Sequence, residues 1–347
     1  MGKDSISALK VGLTYIGVVV GAGFASGQEV LRFFNVFGIN GLCGILVSTM
    51  LFWILGYQIL KLGQKINASS YLDVINHFSD KYSSPIFDFI LTFFLFCTFT
   101  AMLSGAGAIS YQYFGLPAFL GGIFMASFSA ITVLFGIKKV ISSISLVVPF
   151  LILSIFIICI CSNLDTPIIS RLHPGEVGFS GNWFISALLY SFYNLTFSVA
   201  VLAPLGTQAK DKKTLFIGSL IGAIGLGIGS LMIFFTMNSD FLVIQNIEIP
   251  MLYFAKKISV IAAFFYLLVL IAEIYTTSVA NLYGIVARFS KTTYSMTSIT
   301  LIITSLGCIA SLLGFSNLVT YLYPMMGYVG ATLFIIVLVK IFLKIRQ

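Results

Sequence analysis

Long apolar runs recur along the whole chain and constrain its fold more than any other feature. An α-helix needs about 20 residues to cross the hydrocarbon layer of a membrane. Runs of that length lie near residues 8–36, 40–61, 85–112, 116–136, 140–161, 182–207, 213–236, 251–287, 295–314 and 317–344. Only 9% of the residues are charged and 59% are hydrophobic, which excludes a soluble globular protein. The sequence therefore predicts an all-α integral membrane protein with ten transmembrane helices in a single domain, residues 1–347.

The positions of the basic residues indicate how these helices are oriented. If both termini are cytoplasmic, all but four of the 19 Lys and Arg residues fall on the cytoplasmic side, as the positive-inside rule requires. The four exceptions are Arg32, Arg171, Lys256 and Lys257. The net charge of +8 is spread over many short connections instead of forming one patch, so a nucleic-acid partner is not expected.

The outer connection near 162–181 divides the predicted helices into two sets of five, residues 8–161 and 182–347. Because five is odd, the second set starts on the opposite face of the membrane, and a structural repeat between the sets is inverted. Polar or glycine-rich stretches interrupt the first helix of each set, Gly21–Gly27 in helix 1 and Tyr190–Ser198 in helix 6. We therefore expect a 5+5 inverted repeat in which helices 1 and 6 are discontinuous, a pattern that points to a binding site near the membrane midplane.

The glycines of helix 1 suggest what such a site binds. Gly21, Gly23 and Gly27 each weaken a helix by about 1 kcal/mol relative to alanine, so unwinding is inexpensive there. Freed carbonyls can hold a cation, and the amides that begin the next helical segment can hold an anion. Close helix packing is the alternative explanation for the glycines. Packing does not explain Glu29, because a carboxylate in the membrane interior costs about 2.5–3.5 kcal/mol.

A second acid lies within the predicted eighth helix. Glu273 shares one helical face with Thr276, Thr277 and Asn281. Hydroxyls bonded back to their own helix would explain the threonines but not Glu273. Two adjacent hydroxyls opposite unwound carbonyls would offer the oxygen ligands that a hard monovalent cation prefers. A weaker polar face on helix 3 includes Ser104.

Three motifs resemble known membrane proteins. Leu31–Phe34 ("LRFF") resembles a segment on helix 1 of the neurotransmitter:sodium symporters, and Tyr275–Ala280 ("YTTSVA") resembles a hydroxyl-rich segment on their helix 8. Gly21–Glu29 ("GAGFASGQE") most resembles the YkvI-like bacterial membrane proteins. Together with the helix pattern, they make the chain similar to the amino acid, polyamine and organocation (APC) superfamily, whose fold is that of the leucine transporter LeuT.

This resemblance implies roles for particular residues. A sodium site would use the carbonyls of Ala22, Ala25 and Glu273 and the hydroxyls of Thr276 and Thr277. The substrate site would be lined by Gly23, Ser26, Gly27, Tyr193, Asn194 and Phe197, with Ser104 beside it. Arg32 would act as an outer gate, but its usual acidic partner is missing because residues 317–344 contain no Asp or Glu. Glu29 and Glu273 depart from the symporter pattern and are candidates for coupling or gating.

The resemblance implies a secondary transporter in the bacterial cytoplasmic membrane that moves a small zwitterion, an amino acid, together with sodium. Two alternatives stay open at this point: proton coupling through Glu29 or Glu273, and a ligand-binding membrane subunit similar to those of spore germinant receptors. No nucleophile is paired with a base, so an enzyme is not expected. The expected partners are a small-molecule substrate, sodium or a proton, and the lipid bilayer, with no cofactor and no catalytic residue.

Overall fold

The structure is a computed structural model that describes residues 6–78, 84–162, 181–244, 247, 249–289, 295–313, 326 and 328–332. Helices account for nearly all of the regular structure in these ranges. Their bounds are α1 Ala8–Val19, α2 Ala22–Ser26, α3 Gln28–Phe33, α4 Ile39–Ile66, α5 Tyr71–Phe78, α6 Ser84–Phe114, α7 Ala118–Leu134, α8 Ile137–Ser162, α9 Trp183–Gln208, α10 Lys212–Asn238, α11 Phe241–Ile244, α12 Pro250–Ile258, α13 Val260–Arg288 and α14 Met296–Ala310.

The helices agree with most of the predicted membrane spans. Within the described ranges, seven are long and apolar enough to cross a membrane, and α1 and α7 are shorter apolar helices. The first predicted span consists of the three segments α1, α2 and α3. The run 251–287 is divided at Ser259, whose hydroxyl accepts a hydrogen bond from the Ala262 amide at 3.0 Å and thereby starts α13. Most of the tenth run, 317–344, lies outside the described residues.

Two helix pairs have the most extensive contacts, α4 with α9 and α1 with α10. In the predicted inverted repeat, α1 corresponds to α9 and α4 corresponds to α10. The repeat therefore maps the pair α4 and α9 onto the pair α10 and α1. Both pairs approach closely at glycines, as is common where membrane helices pack. A Cβ atom at Gly206 of α9 would collide with the backbone carbonyl of Leu60, and one at Gly218 of α10 would collide with the Val11 side chain. The packing therefore follows the symmetry that the division into two sets predicted.

The predicted interruption of helix 6 is wrong. The stretch Tyr190–Ser198 lies within the single continuous helix α9. Its polar side chains donate hydrogen bonds to carbonyls one turn earlier, from Thr196 to Phe192 at 2.7 Å and from Ser198 to Asn194 at 2.7 Å. The polar groups are thus satisfied without unwinding the backbone. The first glycine of α9 is Gly206, near its end, so the middle of the helix also lacks the residue that would make a break inexpensive.

A buried polar cluster joins three helices near the end of α13. The Arg288 guanidinium contacts the Asp88 carboxylate of α6, with Nε 2.8 Å from Oδ2. The hydroxyl of Tyr71 in α5 donates to the other carboxylate oxygen at 3.1 Å and lies 2.6 Å from the Thr92 hydroxyl. Asp88 is 7% exposed and Tyr71 is fully buried. The cluster therefore holds the short helix α5 against α6 and α13.

Candidate functional site

The first span breaks twice inside the helix bundle. Helix α1 ends at Val19, and Val20 and Gly21 are extended (φ −72°, ψ 125° and φ −130°, ψ −169°). The five residues of α2 follow, and Gly27 then adopts a left-handed conformation with φ 87° before α3 begins. The sequence explains both breaks, since each contains a glycine and the first follows three consecutive β-branched valines. The predicted interruption at Gly21–Gly27 is confirmed and is resolved into two separate points.

Ser26 and Gly27 shape the second break. The Ser26 hydroxyl donates to the Gly23 carbonyl at 3.1 Å and accepts from the Gln28 amide at 3.4 Å. A Cβ atom at Gly27 would collide with the Met237 side chain and would be strained by the positive φ. Both residues therefore maintain the backbone path of the broken helix.

Helix α13 contacts the first break through its hydroxyl face. The Thr277 hydroxyl donates to the Val20 carbonyl at 3.2 Å, and Thr277 also packs against Gly21. The Thr276 hydroxyl lies 3.0 Å from the Glu273 carbonyl and 3.3 Å from its carboxylate oxygen Oε2. Thr276, Thr277 and Glu273 are all buried. An unwound carbonyl and the Thr277 hydroxyl thus meet between α1 and α13, and the neighbouring Thr276 hydroxyl contacts Glu273 within α13.

The position of this contact differs by two residues from the one that the resemblance implies. The carbonyl that faces Thr277 belongs to Val20, whereas Ala22 already lies in α2. The Ala25 carbonyl accepts a hydrogen bond from the Tyr266 hydroxyl, two helical turns before Glu273 on α13. The oxygen ligands that a cation would find beside Thr277 therefore start with the Val20 carbonyl.

A small cavity adjoins the same break. Its volume is about 50 Å³, and a single water occupies roughly 10–15 Å³ on this measure, so a few waters would fill it. The cavity is lined by Val18, Val19, Gly21, Glu29, Thr98, Met102, Tyr193, Asn194, Phe197, Val201, Thr277, Ala280, Asn281 and Met326. Gly21 and Thr277 therefore belong both to the cavity wall and to the contact between α1 and α13.

The two acids singled out in the sequence, Glu29 and Glu273, occupy different places. Glu29 is 6% exposed, lines the cavity, packs against Gly23 and faces the Tyr193 hydroxyl. Glu273 is fully buried and does not line the cavity. Among the described residues, no hydrogen-bond donor reaches Oε2 of Glu29 or Oε1 of Glu273. Each acid therefore keeps an oxygen free for a ligand or a proton.

The sequence-predicted substrate residues divide into two groups. Tyr193, Asn194 and Phe197 line the cavity. The other four do not line the cavity: Gly23, Ser26, Gly27 and Ser104. Two lining residues of α6, Thr98 and Met102, were not predicted. They are four positions apart, as expected for one helix face, but the polar face predicted on this helix includes Ser104, which does not line the cavity.

Arg32 lies in α3, after the second break, and is exposed. Its Nε donates to the Gln28 side-chain oxygen at 3.1 Å. The side-chain nitrogen Nε2 of Gln28 in turn donates to the Ile247 carbonyl. No acidic side chain in the described part of the chain forms a salt bridge with Arg32. Gln28 therefore connects helix α3 to the segment between α11 and α12, and Arg32 bonds to Gln28 within α3.

Similar proteins place this geometry in a family. No family model matches the chain. The uncharacterized membrane protein YkvI of Bacillus subtilis (strain 168) is 31% identical over 344 residues, which cover 95% of each chain. A Na⁺-coupled sialic acid symporter in a substrate-bound outward-open state aligns with a TM-score of 0.71 at 12% identity, covering 94% of this chain and 76% of the symporter. MhsT in complex with L-phenylalanine aligns with a TM-score of 0.70 at 15% identity, covering 97% and 89%.

These similarities carry different information. The identity to YkvI extends over nearly the full length of both chains, whereas the two solved structures are too distant in sequence to show more than a common fold. The chain therefore belongs to the YkvI-like family of multi-pass membrane proteins and has the LeuT-type fold.

Proposed function

We propose that the protein is a secondary transporter that moves a small zwitterion, an amino acid, by alternating access coupled to sodium. The observation that carries this proposal is the double role of the first break. Gly21 and Thr277 line the cavity and also form the contact at the Val20 carbonyl. A cation bound at that contact and a substrate in the cavity would share one flexible backbone segment. Each would then favour the conformation that the other requires.

The chemistry of the contact suits sodium. The Val20 and Glu273 carbonyls and the Thr276 and Thr277 hydroxyls are hard oxygen ligands without a full negative charge, which suits a monovalent cation. Binding there would tie α1 to α13. The solved structures support the proposal in kind, because one neighbour is a Na⁺-coupled symporter and another was solved with an amino acid.

The size of the cavity supports alternating access. A volume of about 50 Å³ admits a few waters or a small polar group, but not a whole amino acid with its side chain. The walls must move apart to admit a substrate. The two breaks in the first span are where such movement costs least, since their backbone is already outside the helical hydrogen-bond ladder.

Proton coupling is a second candidate, and the buried acids favour it. Glu273 is fully buried, and within the described ranges its Oε1 has no hydrogen-bond partner. A carboxylic acid in such a position can exist in protonated form and exchange its proton when the site becomes accessible. Sodium coupling predicts uptake under a sodium gradient alone, whereas proton coupling predicts uptake under a proton gradient alone.

Uptake into proteoliposomes tests the proposal. Purified protein is reconstituted, and uptake of individual ¹⁴C-labelled L-amino acids is measured under an inward sodium gradient, under an inward proton gradient, and with neither. We expect uptake of at least one amino acid above that of protein-free liposomes, and loss of this excess when the sodium gradient is collapsed. Uptake that is driven by the proton gradient alone would support proton coupling and contradict sodium coupling. Uptake equal to that of protein-free liposomes under both gradients would contradict transport of amino acids.

A further inference from the structure

The two asparagines of the cavity wall each keep an acceptor oxygen without a partner among the described residues. Asn194 Nδ2 donates to the Tyr190 carbonyl at 3.0 Å, and Asn281 Nδ2 donates to the Thr277 carbonyl at 2.9 Å. A carbonyl can only accept, so the atom that contacts it must be the amide nitrogen in both residues. No donor among the described residues reaches either amide oxygen. Each side chain therefore offers a ligand an amide oxygen without a partner, beside the second N–H of its amide nitrogen.

The two threonine hydroxyls of the wall have used their protons. Thr277 donates to the Val20 carbonyl at 3.2 Å, and Thr98 donates to the Phe94 carbonyl at 2.9 Å. Both threonines of the cavity wall therefore keep lone pairs for a ligand and hold their own protons against the protein.

The ionisable side chains of the cavity wall also favour a positively charged ligand. Glu29 is the one carboxylic acid among the described lining residues, and none of those residues is Lys, Arg or His. Its Oε2 is buried and accepts no hydrogen bond from the described part of the chain. The aromatic residues Tyr193 and Phe197 also line the cavity, and the faces of aromatic rings attract cations. A ligand group that donates hydrogen bonds and carries positive charge fits here, and a carboxylate does not.

We propose that this cavity binds the ammonium group of the substrate, and that a primary ammonium group, not a carboxylate, is what the protein requires for recognition. An ammonium group has three donors and no acceptor, which matches the oxygens of Glu29, Asn194 and Asn281. The volume of about 50 Å³ admits an ammonium group with its adjacent carbon. This inference rests on the proposed transport function and names the substrate class of the same site: small primary ammonium compounds, with or without a carboxylate.

Matched triads of ligands test the inference on the purified protein. Each triad contains an amino acid, the amine that lacks its carboxylate, and the acid that lacks its amino group: glycine, methylamine and acetate; L-leucine, isopentylamine and isocaproate; L-phenylalanine, phenylethylamine and hydrocinnamate. Dissociation constants are obtained from the rise in thermal stability with ligand concentration, because a ligand that binds the folded state stabilises it by mass action. We expect the amine of at least one triad to bind within about tenfold of its amino acid, and its acid not to bind.

The variant Glu29→Gln keeps the size of the side chain and removes its charge. We expect it to weaken binding of both the amine and the amino acid by about 30-fold or more, because it deprives a desolvated cation of its partner. Thr100→Val is the matched control, since Thr100 is buried on α6 but does not line the cavity. If Glu29→Gln does not fold, the triads on the unaltered protein still distinguish an ammonium site from a carboxylate site.

Three results would overturn the inference: an acid that binds where its amine does not, the absence of a stability rise with every amine, or amine binding unchanged in folded Glu29→Gln. Its failure differs from failure of the transport proposal. Uptake that depends on the carboxylate of the substrate would agree with the transport proposal but contradict the ammonium site. Amine binding without uptake would agree with the ammonium site but contradict the transport proposal.

Discussion

Replacing Thr277 with valine is expected to weaken sodium binding by about 10- to 100-fold while leaving the protein folded. The substitution preserves the shape of the side chain and removes the hydroxyl that lies 3.2 Å from the Val20 carbonyl. A hydrogen bond or ligand to a charged group contributes about 1.5–3 kcal/mol, and about 1.4 kcal/mol corresponds to a tenfold change in affinity. Sodium-driven uptake should fall accordingly at low sodium and recover partly at high sodium.

Thr277→Ser is the matched control because it keeps the hydroxyl. The sodium concentration that gives half-maximal uptake, measured in proteoliposomes for both variants, separates loss of the ligand from a change in packing. The serine variant should stay within about threefold of the unaltered protein, since only a methyl group is removed. An unchanged sodium dependence in Thr277→Val would show that the ion does not bind beside Thr277.

Replacing Asp88 with asparagine is expected to lower the free energy of unfolding by about 3 kcal/mol. The change leaves the Arg288 guanidinium without its acidic partner, and breaking a buried ion pair in this way costs about 3–5 kcal/mol. We expect the lower end of that range because the Arg288 side chain is 29% exposed and stays partly hydrated.

Asp240→Asn provides the comparison for Asp88→Asn. Asp240 pairs with Lys257 at 2.7 Å, but the Lys257 side chain is 60% exposed, and exposed ion pairs contribute about 0–1 kcal/mol. Thermal unfolding of the two variants in the same detergent should show a large decrease for Asp88→Asn and little change for Asp240→Asn. Equal decreases would contradict the structural role of the buried cluster.

The sequence predicted the parts of the fold that depend on local composition. Apolar length identified the membrane spans, and the glycines at positions 21 and 27 identified the break in the first span. The same reasoning failed for helix 6, because polar side chains do not by themselves unwind a helix. In α9 they donate to the carbonyls of the preceding turn, which a sequence cannot distinguish from hydrogen bonds to a ligand.

Other parts of the site depend on how helices rotate against one another. Thr98 and Met102 line the cavity because α6 turns that face inward, whereas the polar face predicted on this helix includes Ser104, which does not line the cavity. The carbonyl facing Thr277 belongs to Val20 and not to Ala22, because α1 ends before the position that the resemblance implied. The unpartnered amide oxygens of Asn194 and Asn281 were likewise not predictable, since they follow from the carbonyls that the two amide nitrogens contact.

The most direct test of the central claim is whether sodium and substrate affect each other's binding equally. The affinity of the purified protein for sodium is measured with and without a saturating ligand, L-leucine or the amine that binds most tightly, and the affinity for that ligand with and without saturating sodium. Because the cavity and the ion contact share Gly21 and Thr277, we predict that each raises the affinity for the other by the same factor, about fivefold or more. A sodium affinity that is unchanged by saturating ligand would contradict a shared site at the break in the first span.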